Sequence, residues 1–276
     1  MQEVKKLIYL ERRGKKMKFG DFSDLAKFYV DRPGYSLDVL NCIQAHIMQQ
    51  NGVKELTIAD VGAGTGKLTE NLVSLKCPVH GYAVEPNDAM REEGIKLFEN
   101  SKLITWRAGS AEDTGLEDSS VDWVLMGSSF HWTDAPKAMK EFYRILKPGG
   151  FFTAIWNPRN IESSPLHMEI EQIIYDEIKT KKRVSSGNKL TSEEMAEKMM
   201  GTGLFDHMLF IEGNHNETMT IERYMNIWKS VNDIQVQAGE EGFKRILDKI
   251  AERLKEYKEI QVPYRSRSWT VRSNKE

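Results

Sequence analysis

Between Leu56 and Trp156, short apolar runs alternate with stretches whose apolar residues recur at helical spacing. The runs are Leu56 to Val61, Val79 to Val84, Leu103 to Trp106 and Val121 to Met126. After the fourth, Ala138, Met139, Phe142, Ile145 and Leu146 fall at i, i+3, i+4 positions and predict a helix. Pro148-Gly149-Gly150 ends that helix and reverses the chain into a fifth apolar run from Phe151. Strand-sized runs separated by helices predict right-handed β-α-β units in a parallel sheet.

The flanks follow a different pattern. From Phe22 to Gln50 two helices are expected, joined at Arg32-Pro33-Gly34, with Leu37, Leu40, Ile43, Ile47 and Met48 on the apolar face of the second. Asn157-Pro158-Arg159-Asn160 is a break. Residues 161–203 read as helical and polar, with Ile170, Ile173, Ile174 and Ile178 on one stripe. Phe205 to Glu212 is a strand candidate. Ile221 to Tyr257 is helical through Phe243, Ile246, Leu247, Ile250 and Leu254, and Arg265 to Arg272 alternates as a last strand.

Each apolar run ends in residues that carry chemistry. The first ends in Asp60-Val61-Gly62-Ala63-Gly64-Thr65-Gly66-Lys67. Glycine there permits positive φ and lets a ligand approach the backbone closely. A P-loop in this register would need glycine at Val61 and Ser or Thr at Leu68, so that reading fails. A dinucleotide fingerprint from Gly62 would need its third glycine at Lys67, which fails as well. The second run ends at Glu85, placed to accept from ribose hydroxyls. The third leads to Ser110-Ala111-Glu112 and the fourth to Ser128-Ser129-Phe130-His131-Trp132.

This ordered set resembles the class I S-adenosylmethionine (SAM) methyltransferases. The D-x-G-x-G-x-G turn resembles their first motif, and Leu146-Lys147-Pro148-Gly149-Gly150 their "LKPGG" turn. The Phe130-His131-Trp132 segment, with Tyr29-Val30-Asp31-Arg32-Pro33-Gly34-Tyr35 upstream, resembles a small-molecule branch that includes trans-aconitate and ubiquinone/menaquinone-type methyltransferases.

The fold so implied is α/β: a Rossmann-like, seven-stranded, mostly parallel sheet flanked by helices, under a helical cap. Its last strand is expected to be antiparallel and to close the sheet edge. The boundaries expected are a basic extension at 1–18, a core with lid helices at 19–160 plus 204–213 and 263–276, and a cap at 161–203 and 214–262.

The resemblance also implies roles. Gly62, Ala63, Gly64 and Gly66 would meet the methionine part of SAM, with Asp60 accepting from its ammonium. Glu85 and Pro86 would flank the ribose, Met90 would cover the adenine, and Ser110, Ala111 and Glu112 would line its pocket. Ser128, Ser129 and Phe130 would complete the cofactor site. Tyr29 and Arg32 would come from the lid, Arg32 pairing with the methionine carboxylate. For the acceptor the candidates are Tyr35, His131, Trp132, Trp156, Asn157, Tyr224, Trp228, Tyr264, Arg265 and Arg267. His131 is the candidate general base, because imidazole titrates near neutral pH. The cofactor expected is SAM, leaving as S-adenosylhomocysteine (SAH); no metal is expected.

Composition narrows the acceptor. The chain has 276 residues and a formal net charge of −2, without the basic footprint of a general nucleic-acid binder. Two cysteines, Cys42 and Cys77, form no disulfide framework. No apolar run nears the roughly 20 residues of a membrane span, so a cytoplasmic enzyme is expected, as a monomer or a homodimer. Lys5, Lys6, Arg12, Arg13, Lys15, Lys16 and Lys18 make a basic lead. Arg12 to Lys16 is also what a purine-rich ribosome-binding site encodes when read through, so a start at Met17 is an alternative expectation. The function expected is methyl transfer to an oxygen or nitrogen, with carbon as a third choice, of a small metabolite. An RNA or protein methyltransferase, a non-catalytic SAM-binding regulator and a dehydrogenase are the alternatives.

Overall fold

The structure is a computed structural model that describes residues 10–12, 15–17, 29–178 and 187–276. Most of the basic lead and of the first expected lid helix lies outside these residues. Within the lead, β1 (Leu10–Arg12) pairs antiparallel with β2 (Lys15–Met17). The chain divides into two compact units. One comprises Met1–Arg32, Ile161–Val184 and Asn216–Pro263; the other comprises Pro33–Asn160, Ser185–His215 and Tyr264–Glu276.

The second unit opens with α1 (Leu37–Asn51) and then alternates strand and helix. It runs β3 (Leu56–Val61), α2 (Lys67–Val73), β4 (Val79–Val84), α3 (Asp88–Leu97), β5 (Ile104–Arg107), β6 (Val121–Gly127), α4 (Ala135–Ile145) and β7 (Leu146–Trp156). α6 (Ser192–Met200) and most of β8 (Phe205–Thr220) and β9 (Glu259–Ser273) complete it. The sheet has seven strands in the order β5-β4-β3-β6-β7-β9-β8. β3, β4, β5, β6 and β7 pair in parallel, and β9 runs antiparallel to β7.

The last strand does not close the edge, as the sequence suggested; it inserts between β7 and β8, and β8 is the edge. Burial explains the exchange. Beyond Phe205, β8 alternates half-buried and exposed residues along most of its length, whereas β9 keeps Ser266, Ser268, Trp269, Thr270 and Val271 buried on both faces. A strand buried on both sides belongs inside a sheet.

Successive residues of a strand point to opposite faces, so each strand feeds two cores. Leu56 and Ile58 join Trp123, Leu125 and Ile155 against α1 and α2. Ala59 and Val61 join Val124, Met126, Phe142, Phe152 and Trp269 on the other face. Met195 and Met199 of α6 belong to that second cluster. Residues 187–203, within the cap expected from the sequence, therefore pack with the sheet.

In the other unit, α5 (Pro165–Glu177), α7 (Ile221–Lys229) and α8 (Asn232–Leu254) carry buried Ile170, Ile174, Tyr224, Trp228, Ile246, Ile250 and Leu254. α8 is kinked at Gly239, whose φ is 68°. No helix among the described residues is long and apolar enough to cross a membrane.

A buried polar chain ties three strands of the sheet together. Trp123 Nε1 donates to Thr153 Oγ1 at 2.8 Å, and Thr153 Oγ1 lies 2.9 Å from Thr270 Oγ1. Thr153→Val keeps the volume but strands the indole N–H. It should cost about 1–3 kcal/mol, read as a lower urea midpoint with an unchanged slope.

Candidate active site

β3 is buried along nearly its whole length and delivers Asp60, which is fully buried, to the strand's end. The turn that follows holds Gly62, Gly64 and Gly66 at φ of 68°, 60° and 90°. L side chains rarely adopt these angles, so alternate glycines are what this turn requires. The amides of Gly62 and Ala63 donate to Val84 O at 2.8 and 3.1 Å, tying the turn to the end of β4.

Glu85 follows immediately and is 7% exposed. Its Oε2 accepts from the Gly64 amide and its Oε1 from the Asn87 amide, both at 2.8 Å. Asn87 also caps α3, placing buried Met90 opposite the turn: a Cβ on Gly64 would lie 3.4 Å from Met90 Cε. Pro86 is exposed beside them.

β6 adds the next wall. A Cβ on Gly62 would lie 2.9 Å from Ser129 Oγ. Ser128 sits at φ 54°, donates its amide to Ile155 O of β7 at 2.8 Å, and accepts from the Tyr35 hydroxyl at 3.1 Å. The Tyr35 amide is in turn held by Asn71 Oδ1 at 2.7 Å. A non-glycine residue at positive φ on a strand end is uncommon, and such residues cluster at functional sites. After β5, Ser110 Oγ accepts the amides of Glu112 and Asp113 at 3.2 and 3.3 Å, with Ala111 buried behind.

Two side chains here are buried without full pairing. Asp60 Oδ2 accepts from Thr69 Oγ1 at 2.6 Å, whereas Oδ1 has no partner among the described residues. Burial, with Glu85 adding a smaller push, raises its carboxyl from 3.8 to about 7. Burial raises Glu85 as well. His131 stacks against Trp132 at 4.8 Å and Trp156 at 6.2 Å between ring centroids. Neither of its nitrogens has a partner among the described residues. Burial, with a smaller push from Lys198, lowers it from 6.5 to about 4, so the ring is neutral at pH 7.

The sequence candidates thus sort into two groups. Asp60, the three glycines, Glu85, Met90, Ser128, Ser129 and Tyr35 come together at the ends of β3, β4 and β6. His131, Trp132 and Trp156 form a run of rings, from Trp132 at 45% exposed to Trp156 at 2%. Other candidates are held elsewhere. Phe130 buries its ring against Phe152 at 5.2 Å. Asn157 bridges Gly34 O at 2.8 Å and the Ser266 hydroxyl at 3.0 Å. Arg267 is spent on Glu212, three carbonyls of the 187–190 loop, and the faces of Trp269 and Phe210. Arg265 reaches Asn214 at 3.2 Å and Asn160 at 3.0 Å. Tyr264 is buried and stacked on His215.

Tyr29 and Arg32 belong to the other unit. There the Arg32 guanidinium donates to Ser230 Oγ and O at 2.9 Å and lies 4.3 Å over the Tyr29 ring. Tyr224 and Trp228, fully buried in the same unit, pack edge to face. Thr69, Asn71 and Asn87 were missed in the sequence. The readable sign for Thr69 was a polar residue on the apolar face of the helix after the glycine turn.

Residues 59–154 match the family model described as a methyltransferase domain. Over 221 residues the chain is 31% identical to an uncharacterized methyltransferase of Schizosaccharomyces pombe, covering 79% of this chain and 82% of that one. The chain belongs to the class I SAM-dependent methyltransferases. An uncharacterized methyltransferase of Mycobacterium tuberculosis is 32% identical over 54% of this chain and 56% of its own length. A demethylmenaquinone methyltransferase of Chlorobaculum tepidum is 32% identical over 44% and 49%. The chain spans about half the length of these last two. A solved structure from Anaeromyxobacter dehalogenans, described as a proposed type II methyltransferase, shares the methyltransferase fold at a TM-score of 0.57 and 16% identity, over 88% of this chain and 97% of that one.

The family implies SAM as methyl donor, and the residues present fit it. The glycine turn leaves backbone open beside Met90, and Asp60 offers a buried acceptor atom without a donor among the described residues. Gly64→Val places a branched side chain at φ 60° in that gap. SAH affinity should fall at least 100-fold by calorimetry while far-UV circular dichroism stays that of a folded chain.

Proposed function

We propose that this methyltransferase moves the methyl group of SAM to an oxygen or nitrogen of a small metabolite, with carbon a third kind of acceptor, and releases SAH. The observation that carries the reading is the meeting of Gly64 with Glu85 and of Gly62 with Ser129, which draws three strand ends around one glycine turn. Open parallel sheets bind ligands at this end of their strands. SAM supplies a methyl already activated on a sulfonium.

The chain would then bind, align and shield. Gly62 to Gly66 would meet the methionine part, with Asp60 accepting from its ammonium directly or through water. Glu85 would hold the ribose hydroxyls, and Ser110, Ala111 and Glu112 would line the adenine. Tyr35, Trp132 and Trp156 would bound the acceptor and exclude water, so that much of the rate comes from alignment. His131, neutral at pH 7, would take the proton of an acceptor hydroxyl or amine. The net charge of −2 and the name of the Chlorobaculum relative both favour a metabolite over a polynucleotide.

Incubation with methyl-labelled SAM and a metabolite extract should give a labelled small product and stoichiometric SAH. Label found only in RNA or protein would overturn the metabolite reading. The Asp60 carboxyl supplies a second check. In the ligand-free chain it holds a proton below about pH 7, where an ordinary aspartate has lost it above about 4. A cationic ammonium favours the ionised form, so SAM binding below pH 7 must expel that proton. SAM affinity should therefore rise with pH, by up to about tenfold per unit, and level off above 7. Asp60→Asn should flatten the profile, as measured by calorimetry in buffers of differing ionisation heat.

A further inference from the structure

The loop read as the adenine site closes on itself. The Ser110 amide donates to Asp113 O at 2.8 Å. β5, which delivers the loop, is four residues long and lies at the sheet edge. Two carboxylates fasten the loop to α4. Glu112 Oε1 accepts from the Asp134 amide at 2.8 Å, at the cap of that helix. Further along α4, Glu141 Oε1 accepts from the Thr114 amide at 2.8 Å and from Thr114 Oγ1 at 2.5 Å. Thr114 is fully buried and also takes the Leu116 amide at 3.2 Å.

Glu141 is itself fixed. Arg144 donates to its two oxygens at 2.8 and 2.7 Å and reaches Asp118 at 2.6 Å. Burial opposes charge on Glu141, yet the bonds from Arg144 and Thr114 outweigh it and hold the carboxyl below its ordinary range. Charge-assisted bonds of this kind are short and strong.

We infer that α4 positions the adenine loop, through Glu141 on Thr114 and Glu112 on the Asp134 amide, and thereby sets affinity for the adenosine half of the donor. The inference rests on the reading of residues 110–112 as the adenine site. Thr114 and Glu141 are positioning residues that act through this loop.

Two measurements separate the inference from that reading. In the wild-type chain the Ala111 amide, followed by 15N–1H NMR, should shift when SAH is added; an unmoved resonance overturns the adenine assignment and the clamp with it. Thr114→Val then removes the hydroxyl at constant volume. Affinity for SAH and for adenosine should each fall about fivefold to tenfold, by the same factor, and Thr114→Ser should restore both. Glu141→Gln should act in the same direction. If Ala111 reports binding but Thr114→Val lowers only the melting temperature, the clamp is structural and the inference falls. Should Thr114→Val fail to fold, Glu141→Gln carries the test from the helix side, where unchanged SAH affinity would overturn it.

Discussion

The bond from the Gly64 amide to Glu85 is what the rest of the site depends on. A carboxylate at a nearly dry strand end is costly unless donors meet it. Here the donors are two backbone amides, one on each side, and Arg91, held on the Glu85 carbonyl at 2.8 Å, adds a smaller electrostatic pull. Gly64 itself sits at φ 60°, where L side chains are rare. The same conformation leaves no Cβ between the backbone and Met90. Asp60 stands close enough for Glu85 to raise its pKa further. Two carboxyls that resist ionisation in the ligand-free chain make a pocket that gains most from a cationic ligand. A donor with an ammonium and a sulfonium would relieve that cost, whereas an anionic nucleotide would add to it.

Much of this was legible in the chain. Parallel strands buried on both faces read as apolar runs, and the glycine spacing at the end of β3 separates this turn from a P-loop or a dinucleotide site. Glu85 was legible because its place is set by local order, one residue beyond a strand. The edge was not. The strand expected from the sequence stops at Glu212, with 214–262 placed in the cap, yet residues 213–220, Gly-Asn-His-Asn-Glu-Thr-Met-Thr, continue β8 to Thr220. An edge strand needs few apolar residues, so hydrophobicity cannot mark where it ends.

Side-chain roles that depend on distant partners were also hidden. Arg265 and Arg267 read as acceptor-site candidates from their place before the last strand. Their neighbours lie at 160, 187–190, 212 and 214, on segments whose approach only the fold decides. Five donors on one guanidinium can be consumed entirely by carbonyls and a carboxylate, and those of Arg267 largely are. Asn157 is a parallel case: an amide at the end of β7 suggested substrate contact, and the fold gives it to backbone and serine instead.

These internal bonds have a consequence for the acceptor. Ser266 on β9 takes the Ser36 amide at 2.8 Å and donates to Asn157, which donates to Gly34 O. The inserted last strand thus locks residues 34–36 to the end of β7, and Asn71 fixes Tyr35 from the other side. Tyr35 is thereby held with its hydroxyl on Ser128, so its position is set before any ligand arrives. In the sheet-bearing unit, His131 keeps both ring nitrogens without a partner among the described residues, with the Trp132 ring packed beside it. An acceptor placed beside those rings would meet flat surfaces and one neutral imidazole, whereas Arg265 and Arg267 are already engaged by protein groups.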